Sequence, residues 1–506
     1  MHENLRAALR GCNEAKAAIV VPFAQGTVDF HVSSRKGFGS ASRLNGDAGI
    51  TGLPQLRIYR YPKLDVIIRT SQHGLVFAID YETGRWTTAH NVIRLDWQNL
   101  GIMIDVMVIC PMPSANRNRQ RIPESVSDHS QWNQTVDSSV IQEPHRSFFK
   151  DFILSNYSDP GRFNDEIAKD DEMFYKAIVP GYANVGDAYL AYMQSGKRML
   201  DALSQLIRFN FGDEFANKSI LEFACGYGRF TRHLVMRHPT DRTVVSDIYR
   251  GAVDWQNEKN GMTGIYSVAK PEDFALISKF DVIFVGSLFS HLPKDLFVGW
   301  LDRLFRMLSP DGFIAFSVHD VHLAPNTAAD FVYDRSSESA SLSHDIYGMT
   351  YVSEGYVREA IEQACGPGKV YRRYFKGLYE NQDLYVVPKS NAASWAGFQL
   401  QPSPIGGSLF AKRDGDRFMG SGWALNIGAE SEIENVTVIV GGRAIDTVYT
   451  TPDDTGEIAK YFPGIQSRPV HFKVDLPIGA FPKKSVVKCR VTSGLHQTFD
   501  VYLGLT

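Results

Sequence analysis

Glu222, Gly226, Gly228 and Asp247 are the residues whose types and spacing most directly suggest chemistry. The first three lie in "SILEFACGYGRFTRHL", residues 219–234, and the fourth ends "RTVVSD". A glycine loop between a parallel strand and a helix points backbone N–H groups and a helix N-terminus at a ligand. Tight strand-to-helix turns also need glycine for their own geometry, so the loop alone leaves a purely structural reading open. A P-loop is excluded, because no Gly-Lys-Ser/Thr segment follows Gly226 and Gly228. A dinucleotide fingerprint fits poorly, since Thr231 stands where its third glycine belongs. Glu222 would repel a pyrophosphate and suits a ligand that carries positive charge at that point.

Asp247 lies 19 positions beyond Gly228 (247 − 228), at the end of the next expected strand. An acid there can accept hydrogen bonds from both ribose hydroxyls, although a strand-end turn is the structural alternative. A ligand with a ribose and a cationic amino-acid part satisfies both acids. S-adenosylmethionine, with its α-ammonium and sulfonium, is such a ligand.

The elements that must position these residues follow from periodicity. "VGDAYLAYMQSGKRMLDALSQLIRF" has apolar residues at three- and four-residue spacing, which predicts an amphipathic helix. After it strands and helices alternate: "SILEFA", "FTRHLVMRH", "TVVSD", "GAVDWQNE", "GIYSVA", "FDVIFVGSLF", "KDLFVGWLDRLFRML", "GFIAFSVH". That order predicts a mostly parallel sheet covered by helices on both faces, which "GKVYRRYF" and "DLYVVPK" would close with an antiparallel pair. Residues 1–112 read as a β-rich N-terminal domain. Residues 113–147 are rich in Ser, Asn, Gln and Arg and read as a linker. The α/β domain then covers 148–390, and 391–506 is expected to be an antiparallel β-sandwich, with Gly441-Gly442 as a hairpin turn.

"LEFACGYGRFTRHL", "SDI", "FDVIFVGSLFSHLP" and "LSPDGFIAFSVH" resemble segments of the class I S-adenosylmethionine-dependent methyltransferases, whose domain is Rossmann-like. More narrowly, "YMQSGKRML", "GSLFSHLP", "YGMTYVSEGYVREAI" and "NQDLYVV" look like a bacterial subgroup found with glycosyltransferases in surface-polysaccharide gene sets. The resemblance covers roughly residues 151–388. It implies Glu222, Gly226 and Gly228 around the methionine part, Asp247 on the ribose, and Glu272 or Asp273 near the adenine. Helix capping explains "PED" equally well. Gly286 and Ser287, in the fourth family segment, complete the candidate cofactor set. Ala224 stands where the family often has glycine; with ordinary negative φ its methyl would change crowding and leave binding intact. "RFMGSGWALN" and "VIVGGRAI" resemble small β modules of glycan-synthesis proteins.

An aliphatic hydroxyl needs a base to become a nucleophile, and ligands of such sheets bind beyond the strand carboxyl ends. His291 and His319 fall there. His291 could instead cap the next helix, and His319 could be a polar loop residue facing solvent. His319, Asp320 and His322 do not have the spacing of a metal motif, and no metal is expected. "SHDIYGMTYVSE", with His344, Asp345 and Tyr347, could fold over the acceptor. The expected function is O-methylation of a sugar or glycan hydroxyl, with another small metabolite, a protein side chain or a non-catalytic scaffold as alternatives. Trp86, Trp97, Trp395 and Trp423 could stack on sugar rings, although buried sandwich positions explain them as well.

The bulk properties set limits on partners. With 506 residues, 44% hydrophobic and 22% charged, the chain has the composition of a multidomain globular protein. Its net charge of −3 gives no sign of nucleic-acid binding. Five scattered cysteines read as reduced thiols, and no apolar run reaches the roughly 20 residues of a membrane span. A cytoplasmic location is expected.

Overall fold

In a computed structural model of the chain, residues 135–506 are described apart from 325–328, 337–338, 340, 380, 392–394, 429–431, 463 and 495; before 135, only seven short strands are described. The chain divides into two compact units, Met1–Ser114 and Ala115–Thr506. The first contains β1 (Lys16–Val20), β2 (Asp29–Val32), β3 (Val66–Arg69), β4 (Phe77–Ile79), β5 (Trp86–Thr88), β6 (Val92–Leu95) and β7 (Ile104–Ile109). They pair antiparallel as β1-β7-β6, β2-β3 and β4-β5. Most of the expected linker and the side chains of Trp86 and Trp97 lie outside the described residues.

The second unit opens with α1 (His145–Asn156), which begins within the stretch read as linker. The long amphipathic stretch forms α2 (Val185–Phe211). Asn184 caps its start by accepting the Asp187 N–H at 2.9 Å. Gly196 lets this helix touch the glycine loop: a Cβ there would stand 1.9 Å from the Arg229 carbonyl oxygen.

The alternating region forms β8 (Ile220–Phe223), α3 (Thr231–Leu234), β9 (Thr243–Asp247), α4 (Arg250–Asn260), β10 (Thr263–Tyr266), β11 (Phe280–Val285), α5 (Lys294–Arg306) and β12 (Leu308–Asp320). Then come β13 (Phe331–Asp334), β14 (Met349–Val352), α6 (Glu354–Cys365), β15 (Arg372–Tyr379) and β16 (Gln382–Pro388). The sheet runs β10-β9-β8-β11-β12, all parallel. β16 then pairs antiparallel with β12, and β15 antiparallel with β16, as the last two strand-like runs predicted. The end of β12 also pairs parallel with β14, which carries β13 at its edge. The fold is therefore Rossmann-like with a mostly parallel sheet. Every residue of β8 is buried because helices cover both faces.

The C-terminal part contains β17 (Ile405–Asp414), β18 (Arg417–Leu425), β19 (Ile433–Val440), β20 (Arg443–Val448), β21 (Thr450–Pro452), β22 (Val470–Pro477), β23 (Val486–Ser493) and β24 (Thr498–Leu505). Two four-stranded antiparallel sheets, β17-β18-β22-β21 and β20-β19-β23-β24, enclose a core that includes Phe418, Val438, Phe472 and Val491. Gly441 and Gly442 have φ of +55° and +81° between β19 and β20, the backbone a tight primed turn requires. Lys488, almost fully buried, pairs with Asp151 of α1 and with Asp500 at 2.7 Å, which ties this part to the α/β domain. Trp395 does not belong to the sandwich and is not available to a sugar. It is 1% exposed and packs edge-on against Phe313 in the core behind the central sheet. Trp423 packs on Phe462, with ring centroids 5.7 Å apart.

Candidate active site

Glu222 lies in the buried central strand β8, where an isolated carboxylate would be costly. Thr231 Oγ1 donates to it at 2.6 Å. Burial pushes its carboxyl up to about 8, aided by nearby Asp247 and opposed by the Thr231 hydroxyl and Arg229. Asp247 ends the neighbouring strand and is also buried. Its two oxygens accept the Gly226 and Tyr249 N–H groups, each at 2.8 Å. Burial raises its proton affinity too, against the pull of those backbone donors. Each oxygen keeps a second lone pair for a ligand hydroxyl.

The loop between the two acids runs through left-handed backbone, with φ of +62° at Ala224, +52° at Gly226 and +88° at Gly228. The expectation of ordinary negative φ at Ala224 is thus overturned. The turn imposes the conformation, and the alanine bears the strain that a glycine would avoid. Ala224→Gly should raise stability by about 1 kcal/mol, relief of strain exceeding the added freedom of the unfolded chain. A denaturant titration that shows lower stability would contradict this.

Two residues missed in the sequence hold the loop from behind. Gln256 donates to the Gly226 carbonyl and to Thr231 Oγ1, both at 3.1 Å. The fully buried Arg232 donates to the carbonyls of Gly228, Tyr227, Asn164 and Glu166. Nothing in the sequence marks Gln256, because its partner loop lies on another element.

The second group of candidates gathers beyond β11 and β12. His291 and His319 are both buried, with ring centroids 6.2 Å apart. The solvent-facing alternative for His319 is therefore excluded: it is in strand β12, paired with Tyr351 of β14. His291 is not the N-cap of α5, a position Pro293 occupies. Its Nδ1 lies 2.7 Å from the Gly348 carbonyl, which fixes the proton on Nδ1 and the lone pair on Nε2. Tyr347 stacks on the His291 ring at 4.5 Å, while His344 and Asp345 of the same segment are exposed.

Ser287 also has left-handed backbone, φ +66°, and joins Ser317 and Gln382 in a buried hydrogen-bonded group. Gly286 comes close to Met199 of α2: a Cβ there would meet its methyl at 2.7 Å. Glu272 and Asp273 are exposed on the turn Pro271–Asp273 after β10. Asp320 faces Arg373 at 2.5 Å. Among the described residues, no group of three or more His, Cys, Asp or Glu could hold a metal ion.

The two acids, the glycine loop and the histidine pair all stand at the carboxyl ends of adjacent parallel strands, where open α/β sheets bind ligands. Residues 192–363 match a family model described as a methyltransferase domain. Those residues thus carry a methyltransferase-type match on a Rossmann-like sheet. Among particular proteins, it is similar to the malonyl-[acyl-carrier protein] O-methyltransferase of Acetivibrio thermocellus, 27% identical over 130 residues. That match covers 26% of this chain and 44% of the relative, so the chain spans less than half of the relative's length. Similar solved structures include an S-adenosylmethionine-dependent methyltransferase from Clostridium acetobutylicum, at 13% identity and TM-score 0.29, covering 38% of this chain and 91% of that one. Another is the magnesium protoporphyrin IX methyltransferase of Synechocystis, at 13% identity and TM-score 0.27, covering 40% and 86%. Among the described residues, no helix is long and apolar enough to cross a membrane.

Proposed function

We propose that this protein transfers a methyl group from S-adenosylmethionine to a hydroxyl oxygen, with His291 as the general base. The observation that carries the reading is the buried His291, whose Nδ1 is held by the Gly348 carbonyl so that Nε2 keeps its lone pair. S-adenosylmethionine supplies the electrophilic methyl group when bound.

The residues fit this cofactor. Glu222 is a buried carboxyl with raised proton affinity and suits the cationic amino-acid part. Asp247 has acceptor capacity left for the ribose hydroxyls, and a Cβ placed on Gly226 would meet nothing within 4 Å, which leaves room at the loop. Gly228, Ala224, Gly286 and Ser287 shape the same edge. Glu272 and Asp273 are the proposed adenine-side residues, their exposure leaving them available to a ligand. At the acceptor, His291 Nε2 takes the hydroxyl proton as the oxygen forms its bond to the methyl carbon and the carbon–sulfur bond breaks, its electron pair leaving with the sulfur as a neutral thioether. Tyr347 stacks on the His291 ring at 4.5 Å and so restricts its orientation.

The acceptor proposed is a hydroxyl of a sugar or glycan chain, and glycosyltransferases are the proposed partners. Both rest on the resemblance of residues 151–388 and of the C-terminal strands to glycan-synthesis proteins. A carboxyl oxygen is the second reading, favoured by the acceptor named in the Acetivibrio relative. A carboxylate is ionised at neutral pH and needs no base, so the dependence of turnover on His291 distinguishes the two.

Glu222 gives a pH prediction. In the folded protein its carboxyl is raised from 4.5 to about 8. The empty folded state therefore holds a proton that the unfolded chain has released. This contribution to stability is complete below about pH 4.5 and is lost as pH rises through about 8. A cation placed beside Glu222 favours the carboxylate, so cofactor binding should release a proton between these limits and tighten as pH rises. Calorimetry in two buffers of different ionisation enthalpy should detect the release, and Glu222→Gln should remove it. Equal proton release in the variant would exclude Glu222 from the cationic subsite.

A further inference from the structure

Tyr249 stands two residues beyond Asp247, and its backbone and side chain serve different parts of the molecule. The backbone N–H bonds the Asp247 carboxylate at 2.8 Å. The hydroxyl donates to Glu172 at 3.3 Å and lies 2.5 Å from Ser339 Oγ. These partners are 77 residues before it and 90 after it, so one phenol oxygen joins three segments distant in sequence. Glu172 is in turn held by Lys176 at 2.6 Å, which keeps it a charged acceptor and strengthens the bond it receives.

From Ser339 the chain runs to the proposed base. Ser339 Oγ accepts the N–H groups of Ser341 at 3.2 Å and Leu342 at 3.0 Å. The Ser343 carbonyl accepts those of Ile346 at 3.0 Å and Tyr347 at 3.1 Å, which closes a tight turn. Tyr347 stacks on the His291 ring. Gly348 meets His291 twice, its carbonyl 2.7 Å from Nδ1 and its N–H donating to the His291 carbonyl at 2.9 Å. Ser339 and Gly348 are buried, whereas residues 343–345 are exposed. The stretch is a strap, held at its ends and open to solvent in its middle. A segment with so few buried contacts between its ends opens locally when one end is released.

We propose that Tyr249 is a positioning residue for methyl transfer, whose hydroxyl anchors through Ser339 the strap 341–348 that orients His291. The anchor is made by the side chain and the contact with the cofactor acid by the backbone, so a change of side chain separates the two. What His291 does in the reaction rests on the methyl-transfer reading; the anchoring does not.

The test uses the full chain with Tyr249→Phe, which removes one oxygen and keeps the ring. Hydrogen exchange at the bonded amides of Leu342, Ile346, Tyr347 and Gly348 should become about tenfold faster, the factor that loss of one or two hydrogen bonds commands. Calorimetry should show the affinity for S-adenosylhomocysteine, the demethylated cofactor, unchanged. At saturating S-adenosylmethionine, transfer of labelled methyl to a cell-envelope carbohydrate extract should fall about tenfold, because the loosened strap orients His291 less often. Ser339→Ala cuts the same tie from the other side; it should reproduce these effects and guards against failure of the first variant to fold. Unchanged exchange at those amides in both variants would overturn the anchor. Full turnover despite faster exchange would overturn the positioning role, and so would a loss of cofactor affinity as large as the loss of turnover. Exchange and calorimetry need no acceptor. A wild type that transfers no methyl group would therefore count against the methyl-transfer reading separately, while exchange still decides the anchor.

Discussion

Asp247→Ala is expected to abolish measurable binding of S-adenosylmethionine and of its demethylated product by calorimetry. The expected loss is at least about 100-fold. Two hydrogen bonds to a charged acceptor are removed at roughly 1.5–3 kcal/mol each, and each 1.4 kcal/mol is about tenfold. A second effect acts through the loop. Asp247 accepts the Gly226 and Tyr249 N–H groups, so its removal also frees the turn that presents the glycines. Asp247→Asn keeps the shape and one acceptor oxygen and should retain part of the affinity. Unchanged affinity in the alanine variant, or binding of a nicotinamide dinucleotide in place of S-adenosylmethionine, would contradict the site.

His291→Ala should lower kcat by about 10² to 10⁴, the range of general-base contributions, with cofactor affinity preserved. The separation is expected because His291 stands beyond β11, whereas the proposed cofactor acids lie near the end of β8 and at the end of β9. The alanine variant also strands the Gly348 carbonyl and removes the ring under Tyr347. His291→Asn is the cleaner variant, since its amide can still donate to that carbonyl but cannot accept the hydroxyl proton. Equal turnover in His291→Asn would remove His291 from the chemistry and favour an acceptor already ionised, such as a carboxylate.

Local and periodic signals were the parts legible in the sequence. The amphipathic spacing of 185–211, the strand-helix alternation after it and the double-glycine hairpin each reflect interactions between residues near in sequence. Glu222, the loop and Asp247 were legible because strand ends in an α/β sheet are fixed places, so spacing along the chain translates into proximity. The left-handed backbone at Ala224 was not legible. Alanine ordinarily avoids it, and only the closed turn between β8 and α3 imposes it. "FTRHLVMRH" was read as a full helix, but its α-helical part is confined to Thr231–Leu234. Trp395 was misplaced because a tryptophan near strand-like sequence gives no indication of which core it enters. Gln382 and Ser317 were missed for a different reason. Their meeting depends on the antiparallel insertion of β16 beside β12, a tertiary pairing with no counterpart in either segment alone.

The central claim is that a methyl group passes from S-adenosylmethionine to a hydroxyl. The most direct measurement is to incubate the full chain with methyl-labelled S-adenosylmethionine and a cell-envelope carbohydrate extract, and then treat the product with mild base. The account predicts label in the carbohydrate fraction that survives base, as an ether does, and its loss in His291→Asn. Label released by base, as from an ester, would contradict the hydroxyl acceptor, and no labelled product at all would contradict the claim of methyl transfer to carbohydrate.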